Sequence, residues 1–395
     1  MDLLSDVRVV EFSHMVMGPA TGMILADLGA EVVKVEPPGG DRTRRLPGAG
    51  AGYFAMYNRN KRSVTLDLKS EAGRDVARRI VAASDVLIEN FRPGAMARLG
   101  LGPEEARALN PGLIYHSCKG FLSGPYEART ALDEVAQMMG GLAYMTGPTG
   151  RPLRAGASVI DVTGAMFGVI GILAALHARG REGPQGQGRA ITSALYETTA
   201  FLVGQHMAQA AVTGRPAPPM PERVSAWAIY DVFEAADGQI FVGVVSDGQW
   251  RSFCEAFGFA DWAGDDAFAT NVGRVEARER ILPRLRDLFA GMTVAELSDR
   301  LEAIGLPFAP IRRPQDLWED PHLASGGFVE MHLPDDSTAA GRAVSLPALP
   351  LEADGTRPGL RHDLPAPGEG AAEALAACGI NAEEFARLRA DGIVE

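Results

Sequence analysis

Val7-Arg-Val-Val-Glu-Phe12, then an apolar segment from Pro19 to Leu28, then Glu31-Val-Val-Lys-Val-Glu36, is the stretch that decides the fold. Two short β-branched runs flank a segment with Pro at its first turn and Gly29 just past its end, the punctuation of a helix. Strand, helix, strand at this spacing is a βαβ crossover, which makes its two strands parallel. The rhythm continues outward. Ser63–Leu68 predicts a third strand with a helix over Glu71–Ala83, and Asp85–Asn90 a fourth with a helical segment near Pro93–Leu99. A helix at Pro103–Leu109 leads into a fifth strand, Leu113–Ser117. The expected architecture is α/β: a Rossmann-like, mostly parallel sheet covered by helices. Ligands of such sheets sit beyond the carboxyl ends of the strands. The loops Ser13–Gly18, Glu36–Arg45, Asn90–Arg92 and Cys118–Gly124 should therefore line one crevice.

Farther along, the Gly/Gln-rich break Gly180–Gly188 precedes a strand and a long helix from Ser193 to about Val212. Pro-rich Thr213–Pro221 reads as linker. The expected division is a large α/β domain over 1–212, a linker over 213–225, a smaller α+β domain over 226–325, and a C-terminal arm, 326–395, completing the large domain. The smaller domain should hold strands near Ala228–Phe233 and Gln239–Val245 and helices near Gln249–Phe257, Arg278–Ala290 and Thr293–Ile304. After Pro307 the chain reads as strand-poor until a final helical piece, Ala371–Arg389.

Bulk composition narrows the function. The 395 residues are 46% hydrophobic and 22% charged with net charge −12, a soluble globular balance. Such acidity argues against nucleic acid or an anionic membrane as partner. Three scattered cysteines form no C-x-x-C pair, so neither a disulfide framework nor a metal site is expected. The start, MDLLSDVRVVEFSH, lacks a basic n-region with an apolar h-region, and a cytoplasmic location is expected. Signatures for nucleophile elbows, zincins, Walker A loops and dinucleotide fingerprints are absent from the sequence.

Two features carry chemistry. Asp161 is the only ionisable group between Arg154 and His177, at the head of an apolar run, Val162–Ala178, that reads as a buried helix. A carboxylate there needs donors, or its pKa rises. Asp161 is expected as the N-cap of that helix, a role that is by itself purely structural. Basic residues also recur at the strand ends: Arg42, Arg44, Arg45, Arg59, Lys61, Arg62, Lys69, Arg92, Arg98 and Lys119. Singly these are surface charges; grouped on one rim they suit a phosphorylated ligand.

Several blocks together resemble the class III CoA-transferases, a family that also contains α-methylacyl-CoA racemases. They are Arg8–His14 with Gly18-Pro19, Leu25–Glu36, Asn60–Ser63, Leu66–Lys69, Asp85–Arg92, Asp133–Gln137 and the Asp161 segment. The resemblance implies an interlocked homodimer that holds no resident cofactor and takes a CoA thioester and a small carboxylic acid as substrates. It implies Asp161 as the nucleophile, working through a mixed anhydride and an aspartyl-CoA thioester. It places CoA at Val16, Leu66, Lys69, Asn90, Phe91, Arg92 and Arg98, with Arg42 and Lys119 on the basic rim. His14, Asp133, Arg154 and Tyr230 are candidates for the acyl or acid site, and Arg129 and Arg151 for pairing a distal carboxylate.

The departures sharpen the expectation. Formyl-CoA transferases carry glutamine where this chain has Val16, arginine where it has Pro37, and a glycine run where it has Arg223–Tyr230. A formyl/oxalate exchanger is disfavoured. The Ala228–Tyr230 and Ala236–Gly238 blocks look more like dicarboxylate-type members, acting on succinyl-CoA and an acid such as citramalate, itaconate or mesaconate. Racemases use a His–Asp unit; here that pair is Leu132-Asp133, and leucine carries no proton. A racemase or isomerase, and a non-catalytic CoA-binding relative, are the alternatives.

Overall fold

The computed structural model describes residues 1–223, 225–334 and 341–395; Val224 of the Arg223–Tyr230 stretch and 335–340 of the arm lie outside the described residues. The strand rhythm becomes a six-stranded sheet, parallel at every pairing. Its strands are β1 (Arg8–Phe12), β2 (Glu31–Glu36), β3 (Lys61–Thr65), β4 (Val86–Glu89), β5 (Ile114–Lys119) and β6 (Ala190–Ala194), in the order β3-β2-β1-β4-β5-β6. Strand order reverses between β1 and β4, the switch point outside which ligands of such sheets sit. The central strands are buried on both faces, as a helix-covered parallel sheet requires.

One face is covered by α1 (Met17–Asp27), buried throughout, and by α4 (Val159–Arg181). Gly29, at φ +113°, turns the chain out of α1, where a Cβ would stand 2.9 Å from the Met1 carbonyl. The other face packs α2 (Glu71–Ala82) through Val76, Ala77, Ile80 and Val81, together with the C-terminal helices. Ser70 caps α2 by accepting from the Gly73 N–H at 3.0 Å. Between β5 and α4 lies α3 (Asp133–Met139), and α5 (Leu195–Thr213) follows β6.

Helix α4 is long and apolar enough to cross a membrane, with a mean hydropathy of 2.1 in its most apolar window. Its inner face, Ile160, Ala165, Val169, Ile172 and Ala175, belongs to the core shared with β1, β4 and β5. Gly168 admits the buried His116 ring, where a Cβ would come within 2.5 Å. The outer face keeps Met166 and Ile170 exposed, and Phe201 and Met207 of α5 are exposed as well.

The chain divides into two units, Met1–Pro221 with His322–Glu395, and Glu222–Pro321. The second contains an antiparallel sheet of β7 (Tyr230–Glu234), β8 (Gln239–Gly243) and β9 (Phe308–Pro310). Its core is aromatic: Trp250, Phe253, Trp262, Phe268 and Phe289 are all buried.

Several elements differ from expectation. The third strand runs Lys61–Thr65 rather than Ser63–Leu68, because the Asp67 N–H is drawn to the Ile393 carbonyl and Asp67 supports the Ser70 cap. Helix α4 starts at Val159, so Asp161 lies inside the first turn and Ser158 is the N-cap residue. The final helical piece is two helices, Ala371–Ala376 and Ala382–Ala390, parted by left-handed Gly379 and a new Asn381 cap. The region after Pro307, read as strand-poor, holds β9 and then β10 (Phe328–His332) and β11 (Ala343–Pro347). The alternation of β10, with Val329 and Met331 buried and Glu330 and His332 exposed, is too short to stand out among prolines.

Candidate active site

Asp161 stands half-buried in the first turn of α4, and its backbone explains the local fold. Oδ2 of Asp133 accepts from the N–H groups of Ile160 at 2.9 Å and of Asp161 at 3.1 Å. The cap that sequence reasoning assigned to Asp161 is thus supplied by Asp133, which frees the Asp161 carboxyl from its own helix end. Burial comes first among the causes that push its pKa up to about 7, followed by the Asp133 and Glu134 charges, against a partial offset from Arg154. The neighbouring phenol of Tyr57 is raised by burial and by the Asp161 charge. Gly164, one turn on, lets Met17 of α1 approach; a Cβ there would lie 2.8 Å from the Met17 Cε. The turn that opens α1 therefore abuts the turn that holds Asp161.

Hydrogen bonds stitch together the four loops expected at the crevice. The Asn90 side chain grips the His14 backbone from both sides, donating to its carbonyl at 2.7 Å and accepting from its N–H at 3.1 Å. Met15 is left-handed at φ +65°, and its N–H donates to Thr43 Oγ1 at 3.0 Å. Lys119 joins the loop after β5 to Glu89 at 2.5 Å and to the Phe91 carbonyl at 3.1 Å. The rim is one connected surface running from the loop after β2 to the loop after β5.

The basic residues of the rim fall into two groups. Arg42, Lys69, Arg92 and Arg98 are exposed and pair with no carboxylate among the described residues. Arg45 is exposed too, donating to the Gly39 carbonyl at 3.0 Å, whereas Arg62 lies 3.6 Å from Glu31 and the others are structural, which corrects the uniform basic rim. Arg59 is fully buried on Asp27 at 2.6 Å, Lys61 on Glu11 at 2.7 Å, and Arg44 on Glu36 at 2.6 Å. Lys34, which did not stand out in the sequence, completes the cluster at 3.2 Å from Glu11 and 3.3 Å from Asp41. Burial lowers Lys61 to about 8 despite its partner Glu11. Lys119 is likewise committed to Glu89. Val16 and Leu66 are buried.

The acyl-site candidates separate as well. His14 is exposed, with Nδ1 3.0 Å from Asn90 Oδ1 and its ring 5.9 Å from that of Phe91, so it belongs to the rim. Asp133 neighbours Asp161 but spends its oxygens on protein donors, which corrects its assignment as an acid-site group. Arg154 pairs with Glu134 and lies 3.6 Å from Asp133, so it is not free for a substrate carboxylate. Arg129 lies over the Tyr126 ring at 4.8 Å, and Arg151 is exposed. Tyr230 opens β7 in the second unit, packed on Trp227 at 5.0 Å and Phe241 at 4.9 Å. Sequence reasoning missed Tyr57, Met17 and Gln137. Only Gln137 carried a signal, lying four residues from Asp133 on one helix face.

Comparison with known proteins then places the chain. The family model described as CoA-transferase family III matches residues 4–371. The chain belongs to this family. Among family III relatives, it is 34% identical to a succinyl-CoA:mesaconate CoA-transferase of Haloarcula hispanica, over 96% of this chain and 97% of that protein. It is 36% identical to a succinyl-CoA–D-citramalate CoA-transferase of Chloroflexus aurantiacus, over 84% of each. A crystal structure of a CaiB/BaiF family protein from Brucella suis superposes with a TM-score of 0.81 at 32% identity, covering 94% of this chain and 98% of that one. The family III chain is an enzyme of CoA transfer, and CoA thioesters are its substrates.

Proposed function

We propose that this family III enzyme moves CoA from succinyl-CoA, or a close analogue, to a small branched or unsaturated dicarboxylic acid, with Asp161 as acyl carrier. The observation that carries the reading is Asp161 itself: a half-buried carboxyl, relieved of capping duty, with its pKa raised to about 7. A carboxylate of ordinary basicity is a weak nucleophile; raising its pKa and removing water strengthen it. The named substrates of the mesaconate and citramalate relatives support the dicarboxylate class.

The steps balance without a net proton. An Asp161 oxygen attacks the thioester carbonyl carbon; the C–S bond breaks and CoA leaves as thiolate, giving a mixed anhydride. The thiolate attacks Asp161 Cγ, releasing the donor as a free carboxylate and leaving an aspartyl-CoA thioester. The acceptor carboxylate attacks that thioester, re-forming an anhydride and the thiolate. Attack of the thiolate on the acceptor's acyl carbon then yields the new acyl-CoA and regenerates Asp161. Arg42, Lys69, Arg92 and Arg98 are the cations available to CoA phosphates, with Asn90 and Phe91 beside them on the rim. The enzyme is read as a cytoplasmic homodimer; the exposed Met166, Ile170, Phe201 and Met207 support a buried subunit face there.

The racemase alternative loses ground to one observation. Asp133, its second acid, is fully engaged with backbone and Gln137, and Leu132 beside it carries no proton. Incubation with succinyl-CoA and a panel of acids, read by mass spectrometry of the CoA esters, tests the proposal. A new acyl-CoA should form with a dicarboxylate, and Asp161→Ala should bind CoA yet exchange nothing. Turnover by that variant sinks the mechanism. Deuterium uptake from solvent without an acceptor acid would favour the racemase, and CoA binding without transfer to any acid would favour the non-catalytic relative.

A further inference from the structure

Helix α3 meets the nucleophile's own backbone. Asp133 Oδ2 accepts the Ile160 and Asp161 N–H groups, while Oδ1 accepts from Gln137 Nε2 at 2.5 Å. Gln137 Oε1 in turn accepts the Ala155 N–H at 2.8 Å. Asp133 is 5% exposed and Gln137 0%, so neither is placed there for solvent. The two side chains, one helical turn apart on α3, thus hold both ends of the segment 155–161, which otherwise has no regular structure before α4 begins. A buried, doubly bonded amide and carboxylate have one geometry in which every donor meets an acceptor, and that makes the arrangement rigid.

We infer that Asp133 and Gln137 form a positioning unit for the acyl carrier, fixing the first turn of α4 and setting the Asp133 carboxyl group beside Asp161. The inference rests on the reading of Asp161 as nucleophile and extends it to residues that never touch the substrate. The unit does two separable things. The hydrogen bonds set where the Asp161 carboxyl points, and the Asp133 charge, second only to burial, holds the Asp161 carboxyl basic. The charged groups acting on Asp161 are Asp133 and Glu134 from α3 and Arg154 from the intervening loop, and Asp161 in turn acts on Tyr57 of the short helix Tyr53–Tyr57. From α1 the neighbour is the apolar Met17.

The two effects call for two variants. Gln137→Met removes both of its hydrogen bonds at unchanged charge. It should lower kcat by about 10- to 100-fold, the cost of a misplaced reacting group, with KM for acyl-CoA within about twofold and the pH–rate inflection unmoved. Asp133→Asn removes the charge, and the acidic limb of its pH–rate profile should move down by about one unit. The amide introduced by Asp133→Asn also presents an N–H to Gln137, leaving two donors face to face. The double variant Asp133→Asn with Gln137→Glu restores a donor–acceptor match and should recover most of the lost kcat.

Hydroxylamine trapping on the wild-type enzyme with succinyl-CoA separates this inference from the one beneath it. Absence of a hydroxamate at Asp161 overturns the nucleophile reading and the positioning unit with it. Trapping at Asp161, together with wild-type kcat in Gln137→Met or an unmoved pH profile in Asp133→Asn, overturns the positioning unit alone. Failure of the double variant to exceed Asp133→Asn also counts against it.

Discussion

At the residue scale, Asp161 shows how a carboxylate can be made both unstable and useful. The unfolded chain ionises it near the ordinary 3.8, the folded chain near 7. Below 3.8 both states hold the proton. Between 3.8 and 7 the unfolded chain gives up the proton while the folded chain keeps it, so stability falls as pH rises across that window and stays lower above 7, where the folded chain carries the charge beside Asp133 and Glu134. Asp161→Asn removes this cost. Its gain over wild type should be about 1–3 kcal/mol at pH 8 after solvent screening and much smaller at pH 5. Denaturant melts at the two pH values check this; an equal gain at both would mean that the charge is not the cause. Sequence reasoning found Asp161 from its isolation in an apolar run but misplaced it as the cap. The true cap donor set is answered by Asp133, 28 residues upstream, and no local spacing reports a partner that arrives through the fold.

At the element scale, the glycines of α4 make the site possible. Gly164 and Gly168 lie one turn apart on the buried face, yet they meet different neighbours. A Cβ at Gly168 would stand 2.5 Å from the His116 ring, which is fixed by Ser193 at 3.1 Å. A Cβ at Gly164 crowds the flexible end of Met17, at 2.8 Å, and makes an ordinary contact with Thr198 Oγ1 at 3.6 Å. Gly168→Ala should therefore cost about 2 kcal/mol or more, as overpacking does, while Gly164→Ala should change stability by less than about 1 kcal/mol, helped by alanine's helix preference. Because Met17 opens α1 beside Asp161, Gly164→Ala should instead lower kcat. Thermal melts and steady-state rates on the two variants check the split; equal destabilisation would contradict it. The helix was legible from its apolar run, but which glycine mattered was not, since that depends on what packs opposite. The strands of the sheet were legible for a simpler reason: β-branched runs buried on both faces leave little alternative.

At the scale of the whole molecule, the C-terminal arm ties the edge of the sheet to the rim. The Glu395 N–H donates to Thr65 Oγ1 at 2.9 Å, and its carboxylate accepts the Gly39 N–H at 2.9 Å in the loop after β2. Pro365 accepts from Arg44 at 2.8 Å, and Gly368 donates to Ser63 at 2.9 Å. Val394, 1% exposed, anchors this seam. Val394→Asp buries an unpaired charge and should cost several kcal/mol. Hydrogen exchange should rise first in 36–45 and 65–69; unchanged protection there would contradict the coupling. The sequence led to the expectation of an arm belonging with the large domain, but gave no sign that it covers β3, the edge strand, or that it holds β10 and β11. The basic rim was half-legible for the same reason. Arg42 and Arg98 pair with no carboxylate among the described residues, whereas Arg59 and Lys61 meet Asp27 and Glu11 only once α1 and the sheet are packed.

The central claim is that Asp161 carries the acyl group and then CoA. Its most direct test is peptide mass spectrometry of the enzyme quenched with hydroxylamine during turnover of succinyl-CoA. The account predicts one hydroxamate, at Asp161, formed only when acyl-CoA is present and lost in Asp161→Asn. A hydroxamate at another carboxylate, or none from an enzyme that is turning over, would contradict it.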